Sequence, residues 1–194
     1  GPVGVNLYWD DCNASLGFGI DRTSTCLSNS ETKKLIQGSF CAPPGVDALN
    51  GNDIRIDIQT AMAPLPCWWN FTVSPRTTGF DMAFDTPPAS GNCSNYWGSI
   101  PGGPSGGFAA RLIPGLTNHI RILGVVAVDA TLAGPINPNE EIYSFTFGLK
   151  FDDTVGTCTG CLSPTCIVLT LIRLTQSNLP FVDLTSFSSR PQYV

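Results

Sequence analysis

The stretch Asp53-Ile54-Arg55-Ile56-Asp57-Ile58-Gln59 decides the fold class, because apolar and polar residues alternate strictly along it. Successive side chains of a β-strand point to opposite faces, so the three isoleucines are predicted to face a core and the charged residues to face solvent. Residues 141–151 show a similar alternation of large and small residues. The large side chains predicted to share the inner face there are Tyr143, Phe145, Phe147, Leu149 and Phe151.

Seven further segments have the apolar, β-branched or aromatic composition of strands, and clusters of glycine and proline separate them. Many short strands without helices between them are typical of two packed antiparallel sheets. The sequence therefore predicts an all-β fold, a single antiparallel β-sandwich domain of jelly-roll type over residues 1–194, stapled by disulfides. The nine predicted strands are residues 4–9, 34–40, 53–59, 67–73, 79–84, 107–113, 118–128, 141–151 and 164–176.

Composition narrows the function classes. The 194 residues include 20 glycines and 16 prolines, and only 13% of them are charged. Long helices are not expected in such a chain, and its apolar runs are too short for a membrane span. The net charge of -5 has the wrong sign for gathering phosphates, so no nucleic-acid partner is predicted.

The chain has eight cysteines and a single histidine. An even number of cysteines predicts a disulfide framework and an oxidising compartment, although spacing alone does not give the connectivity. Cys12 with Cys26 is the easiest pair to expect, because the residues between them resemble a loop to be closed. A bridge from Cys41 to Cys67 is plausible as a staple between strands. The eight cysteines are Cys12, Cys26, Cys41, Cys67, Cys93, Cys158, Cys161 and Cys166.

The segment from Cys158 to Cys166 holds three of these cysteines and allows three interpretations. A redox centre needs a helix N-terminus behind the first sulfur, whereas a strand is predicted to follow. A zinc site needs a fourth ligand, for which only Cys93 or His119 is available without a second motif. Disulfides that pin a loop at the mouth of a strand are the favoured interpretation.

Three segments together resemble a group of uncharacterised secreted bacterial β-rich proteins: residues 5–12, residues 65–71 around Trp68-Trp69, and residues 158–169 with their three cysteines. The resemblance implies export and a single β domain, and it lends no catalytic residue. This chain departs from the group at Cys41 and Cys67, and it lacks a cysteine just before Arg76. These departures favour a Cys41 to Cys67 bridge and leave the partner of Cys93 open.

Aromatic residues are the first candidates for a binding site. Adjacent residues of a strand point to opposite faces, so one of Trp68 and Trp69 is expected in the core and the other at the surface. An exposed indole stacks on sugar rings, which makes a glycan site the hypothesis. Within Asn95-Tyr96-Trp97-Gly98, Tyr96 and Trp97 are the preferred tip of such a site.

Acidic pairs occur at Asp10-Asp11, Glu140-Glu141 and Asp152-Asp153. Calcium needs six to eight oxygen ligands, but a strand over residues 141–151 separates two of the pairs, so solvated strand ends are the simpler interpretation. An acid and base pair of the glycosidase type stays open. His119 is expected on the solvated face of a strand, without a Gly-x-Ser-x-Gly elbow to accompany it.

Sequons permit N-glycosylation at Asn13, Asn70 and Asn92, in numbers close to chance. No catalytic constellation, cofactor or metal site is predicted. We therefore expect a non-enzymatic, secreted structural or adhesive protein, such as a surface or filament subunit that assembles through strand edges with itself or with other surface proteins. The alternative is a glycan-binding sandwich that uses exposed tryptophans.

Overall fold

A computed structural model describes residues 3–12, 21–89 and 91–185. These residues form nine β-strands and several 3-10 turns of three residues each, and they contain no helix with the length and hydropathy of a membrane span. The strands are β1 (Gly4–Trp9), β2 (Lys34–Cys41), β3 (Leu49–Thr60), β4 (Phe80–Ala83), β5 (Ser105–Leu112), β6 (His119–Ala127), β7 (Ile142–Leu149), β8 (Thr165–Gln176) and β9 (Leu179–Thr185).

The strands form two antiparallel sheets that pack as a sandwich, which confirms the predicted fold class. One sheet has four strands in the order β1-β2-β7-β4, and the other has five in the order β5-β6-β3-β8-β9. Consecutive strands β2 and β3 lie in different sheets and pair with β7 and β8, which also lie in different sheets. This crossing of two strand pairs between the sheets is the jelly-roll-like feature of the fold.

The alternation that predicts β3 is confirmed, since Ile54, Ile56 and Ile58 are each at most 2% exposed. They belong to one cluster of buried apolar side chains contributed by both sheets. The strand is longer than predicted, because it begins at Leu49. As the middle strand of its sheet it pairs with both β6 and β8, which fixes its charged side chains on the outer face.

β7 departs from the prediction, because all eight of its residues are buried. The register with β2 shifts at Gly38 and Ser39, where Gly38 is opposite Phe145 and Ser39 is opposite Tyr143. A β-bulge of this kind changes the face to which the following side chains point. The hydroxyl of Tyr143 lies 2.9 Å from that of Thr146 and donates to the carbonyl of Ala83, so Tyr143 does not share a face with Phe145 as predicted.

One predicted strand is wrong, and one observed strand is absent from the prediction. Residues 67–73 form a 3-10 turn over Cys67–Trp69 followed by further turns, because the flanking prolines at 64, 66 and 75 outweigh the aromatic, strand-like composition. β9 was not predicted, since Pro180 and Asp183 resemble loop residues. It nevertheless pairs with β8 as an edge strand.

All eight cysteines lie in the described part of the chain, and six of them form three disulfides. The bonds join Cys12 with Cys93, Cys26 with Cys161, and Cys67 with Cys158, while Cys41 and Cys166 are free thiols. The expected pairs Cys12 with Cys26 and Cys41 with Cys67 are therefore wrong. The strands that cross between the sheets bring distant loops together, so each of the three disulfides joins cysteines 81 or more residues apart.

The favoured interpretation of the triple-cysteine segment is correct for Cys158 and Cys161 and wrong for Cys166. Cys158 and Cys161 join the loop between β7 and β8 to two other loops at one end of the sandwich. Three disulfides indicate an oxidising environment.

Candidate functional site

The four tryptophans are all buried. Trp97 is 0% exposed, Trp68 1%, and Trp9 and Trp69 6% each. Trp68 and Trp69 belong to a 3-10 turn rather than a strand, so both rings turn inward and pack edge to face with their centroids 4.7 Å apart. The glycan hypothesis required an exposed indole, and the described residues offer none.

Trp68 packs against Arg76, a residue that sequence reasoning missed as an organising side chain. Arg76 is 0% exposed, and its guanidinium lies 4.6 Å from the centre of the Trp68 ring. Burial lowers the pKa of Arg76 to about 10, partly offset by the charges of Asp153 and Asp152, so it stays charged at neutral pH. The arrangement is structural, since it brings no reactive group to the surface.

Tyr96 and Trp97 do not form a binding tip. Trp97 is in the core, and the hydroxyl of Tyr96 donates to the carbonyl of Leu49 at 2.6 Å and accepts from the amide of Gly134 at 3.1 Å. Burial raises the pKa of Tyr96, and the bond to the Gly134 backbone partly opposes it. Tyr96 therefore braces the loop after β6 against the start of β3.

The other candidates are separated from one another. His119 is half-buried at the start of β6, with Nδ1 2.7 Å from the side-chain oxygen of Asn118, on the face away from the buried Ile120 as predicted. Asp10 pairs with Arg22, and Glu140 accepts from Ser94. Over residues 3–12, 21–89 and 91–185, no three histidine, cysteine or acidic side chains meet in a way that could hold a metal.

The sequons differ in their surroundings. The amide nitrogen of Asn92 donates to the buried carboxylate of Asp11 at 2.7 Å, and the oxygen of Asn70 accepts from the hydroxyl of Thr72 at 2.7 Å. Asn13 lies outside the described residues.

The edge strand β5 is the most unusual surface element of the sandwich. Its eight residues pair with β6 in an unbroken register, from Ser105 opposite Ala127 to Leu112 opposite Ile120. Within the part of the chain that the structure describes, no other segment hydrogen-bonds to the β5 backbone. Phe108 is 43% exposed and Leu112 52%, and Arg111 is the sole charged residue of the strand.

The other edges carry protective features. β4 has only four residues, and its Asp81 pairs with Lys33 and Lys150. β9 contains Pro180 and the ion-paired Asp183. On the edge strand β1, Val5, Leu7 and Tyr8 each have an interaction partner, so this edge is not free. Proline, charge and short length are the usual means by which edges avoid pairing with other chains, and β5 has none of the three except one arginine.

Comparisons of the chain with protein-family models, with curated proteins and with solved structures found no match. The resemblance to secreted bacterial proteins therefore stays a prediction.

Proposed function

We propose that this protein is an exported, non-enzymatic structural subunit that pairs with a second copy of itself through β5. The observation that carries the proposal is the long, regular and weakly charged edge of β5, whose outer backbone groups have no partner in the described residues. Such an edge binds a further strand through main-chain hydrogen bonds. The disulfides support an extracellular setting.

The sequence of β5 suits pairing with itself. Gly107 carries no side chain and has open space beside it, so a second backbone can approach closely there, whereas the ring of Phe84 fills the side-chain position of Gly106. In an antiparallel pair centred near Phe108 and Ala109, Arg111 of one copy faces Ser105, Gly106 or Gly107 of the other. No arginine then opposes an arginine, which removes the like-charge penalty of a cross-strand pair.

Pairing would also cover apolar surface. Phe108 lies at the rim of the core, with its ring centroid 5.1 Å from that of Phe80, yet 43% of the residue is exposed. Leu112 and Leu116 are exposed near the other end of the strand. Burying apolar area contributes about 25 cal/mol per Å².

Analytical ultracentrifugation of the purified protein over a wide concentration range tests this proposal, with negative-stain microscopy for larger assemblies. We expect concentration-dependent dimers or oligomers. Ala109→Lys places a charge at the exposed edge and near its own copy in the partner, so this variant should stay monomeric.

The matched control is Ala127→Lys, which makes the same change at an exposed alanine of the neighbouring strand β6. It should associate as the unmodified protein does. At about millimolar concentration, even a weak contact of about 4 kcal/mol would be populated. A protein that stays strictly monomeric at that concentration would refute the proposal. Association that Ala109→Lys leaves unchanged would do the same.

A further inference from the structure

A shallow cleft of about 490 Å³ lies on the outer face of the five-stranded sheet. Its apolar floor is formed by Leu123, Val125 and Leu171. Val125 is 48% exposed. A sheet face in contact with solvent usually carries polar side chains. A cluster of apolar side chains on such a face is typical of a binding surface. The floor therefore fits the apolar part of a ligand.

Arginines surround this floor. Four of the ten basic residues of the chain, Arg55, Arg111, Arg121 and Arg173, lie on this one sheet face, although the chain has a net charge of -5. Two of them have carboxylate partners, each through two hydrogen bonds. Arg121 binds Asp57 at 2.6 and 2.8 Å, and Arg173 binds Asp183 at 2.7 and 3.0 Å.

Arg55 and Arg111 have no such partner. Neither forms a hydrogen-bonded ion pair in the described ranges. Asp53 also lines the cleft. The pKa of Asp183 is lowered mainly by its bond to Arg173 and less by the charges of Arg173 and Arg55. The two free arginines therefore share the cleft with carboxylates.

Arg111 is directly opposite Arg121 in the register of β5 and β6. Asp57 already binds Arg121, so Arg111 is the arginine of this cross-strand pair that has no carboxylate of its own.

The register also places the two unpaired arginines on either side of Leu123. Ala109, Leu123 and Arg55 are aligned across β5, β6 and β3, and Arg111 is two residues from Ala109 along β5. Two strand spacings and two residues of rise separate the Cα atoms of Arg55 and Arg111 by about 12 Å. Two long side chains at that separation reach one anionic group held over Leu123.

We infer that this cleft binds an amphiphilic anion, namely a carboxylate or sulfonate group attached to an apolar body. Arg55 and Arg111 bind the anionic group, and Leu123, Val125 and Leu171 contact the apolar body. Guanidinium groups suit such anions because their N–H groups match two oxygens at once. The inference goes beyond the proposed assembly, since Arg55 lies on the central strand β3 and edge pairing leaves the face open.

Fluorescence titration with 8-anilinonaphthalene-1-sulfonate tests this inference, because the probe combines a sulfonate with apolar rings. We expect saturable binding of one probe per chain. Arg55→Gln and Arg111→Gln should each weaken binding by about tenfold or more, since each removes a charge-assisted hydrogen bond. N-phenyl-1-naphthylamine, which has similar rings and no sulfonate, should bind much more weakly.

Lys33→Gln is the control, because it removes one positive charge near the other sheet. It should leave the titration unchanged. Competition separates the two parts of the ligand: 2-naphthoate should displace the probe, and inorganic sulfate at equal ionic strength should not.

The inference fails if the probe does not bind, or if both arginine variants bind it as the unmodified protein does. It also fails if sulfate competes as well as 2-naphthoate, because the apolar floor would then have no role. Loss of probe binding only on self-association would support the cleft in the monomer and would contradict the separation of this face from the β5 interface.

Discussion

Arg76 is a fully buried cation whose hydrogen bonds all go to backbone carbonyl oxygens. Nε donates to Trp68 at 3.0 Å, and Nη2 donates to Lys150 at 2.9 Å. Further bonds reach the carbonyls of Gly79 and Asp152. One side chain thus joins the turn after β3 to the loop after β7, and it satisfies carbonyl groups that would otherwise be buried without a donor.

Arg76→Ala is expected to lower the free energy of unfolding by about 3–5 kcal/mol, because it leaves several buried carbonyls unpaired and opens a cavity beside Trp68. Denaturant unfolding measures the loss. Arg111→Ala, at an exposed arginine, should change the stability by less than about 0.5 kcal/mol. Equal effects of the two substitutions would contradict the structural role of Arg76.

Cys41 is the buried one of the two free thiols. Its sulfur lies 3.0 Å from Oε2 of Glu141, whose other oxygen accepts from Asn6 at 2.7 Å. Burial, together with the hydrogen bond to Glu141 and its charge, raises the pKa of Cys41 from 9.0 to about 11. The folded protein therefore holds the thiol proton more tightly than the unfolded chain does.

This pKa predicts a loss of stability at alkaline pH. The protonated thiol of Cys41 contributes fully to the free energy of unfolding below pH 9. This contribution is lost as the pH rises toward 11, since the unfolded chain releases the proton first. The difference in unfolding free energy between the unmodified protein and Cys41→Ser should therefore shrink by up to about 1.4 kcal/mol per pH unit in that window. A difference that stays constant from pH 8 to pH 11 would contradict the prediction.

At the scale of elements, the pairing of β2 with β7 depends on the absence of a side chain at Gly38. A Cβ atom added there would lie 2.1 Å from the ring of Phe145, which is fully buried. The contact coincides with the shift in register between the two strands. Gly38 therefore sets how closely β2 approaches the aromatic core of β7.

Gly38→Ala is expected to destabilise the protein by about 1–3 kcal/mol through overpacking. Gly107→Ala is the control, because a Cβ at Gly107 would meet no atom within 4 Å. This variant should be neutral or slightly stabilised, since alanine restricts the unfolded chain. Thermal unfolding of both variants in dilute solution provides the comparison, and a similar loss in both would rule out a packing cause.

The elements also show what the sequence can predict. The strict alternation in β3 predicts that strand in place, because the pattern reflects a single buried face. The segment at residues 67–73 misled because its aromatic residues serve packing in a turn, where periodicity carries no information. β9 was missed because edge strands tolerate proline and charge.

The candidate sites were less predictable than the fold. Exposure of Trp68 or Trp69 was inferred from strand geometry that the segment does not have. The free edge of β5 depends on strand order, which composition does not reveal. The cleft with Arg55 and Arg111 could be predicted only from the register of three strands. The two arginines are 56 positions apart in the chain, and strand pairing brings them together.

For the whole molecule, the disulfides connect loops that the strand order has already brought together. Cys67 with Cys158 joins the turn after β3 to the loop after β7, across 91 residues. Closing a loop of this length restricts the unfolded chain strongly. This disulfide is therefore expected to contribute more to the free energy of unfolding than either free thiol, Cys41 or Cys166, does.

Replacing both Cys67 and Cys158 by alanine should lower the unfolding free energy by about 2–5 kcal/mol. Denaturant titration without reductant measures this loss. Cys166→Ala, which removes a free thiol and leaves all three disulfides intact, is the control. Peptide mapping without reduction should recover the three disulfides described above. A Cys41 to Cys67 linkage in the folded protein would contradict the arrangement.

The bond between Cys26 and Cys161 determines how the chain would respond to a pulling force. It closes a span of 135 residues that includes β2 to β7. When a load pulls β1 away from β8, the force passes through the sulfur atoms and bypasses that span. The residues enclosed by this bond would therefore add no length on stretching, and only the segments outside it could extend.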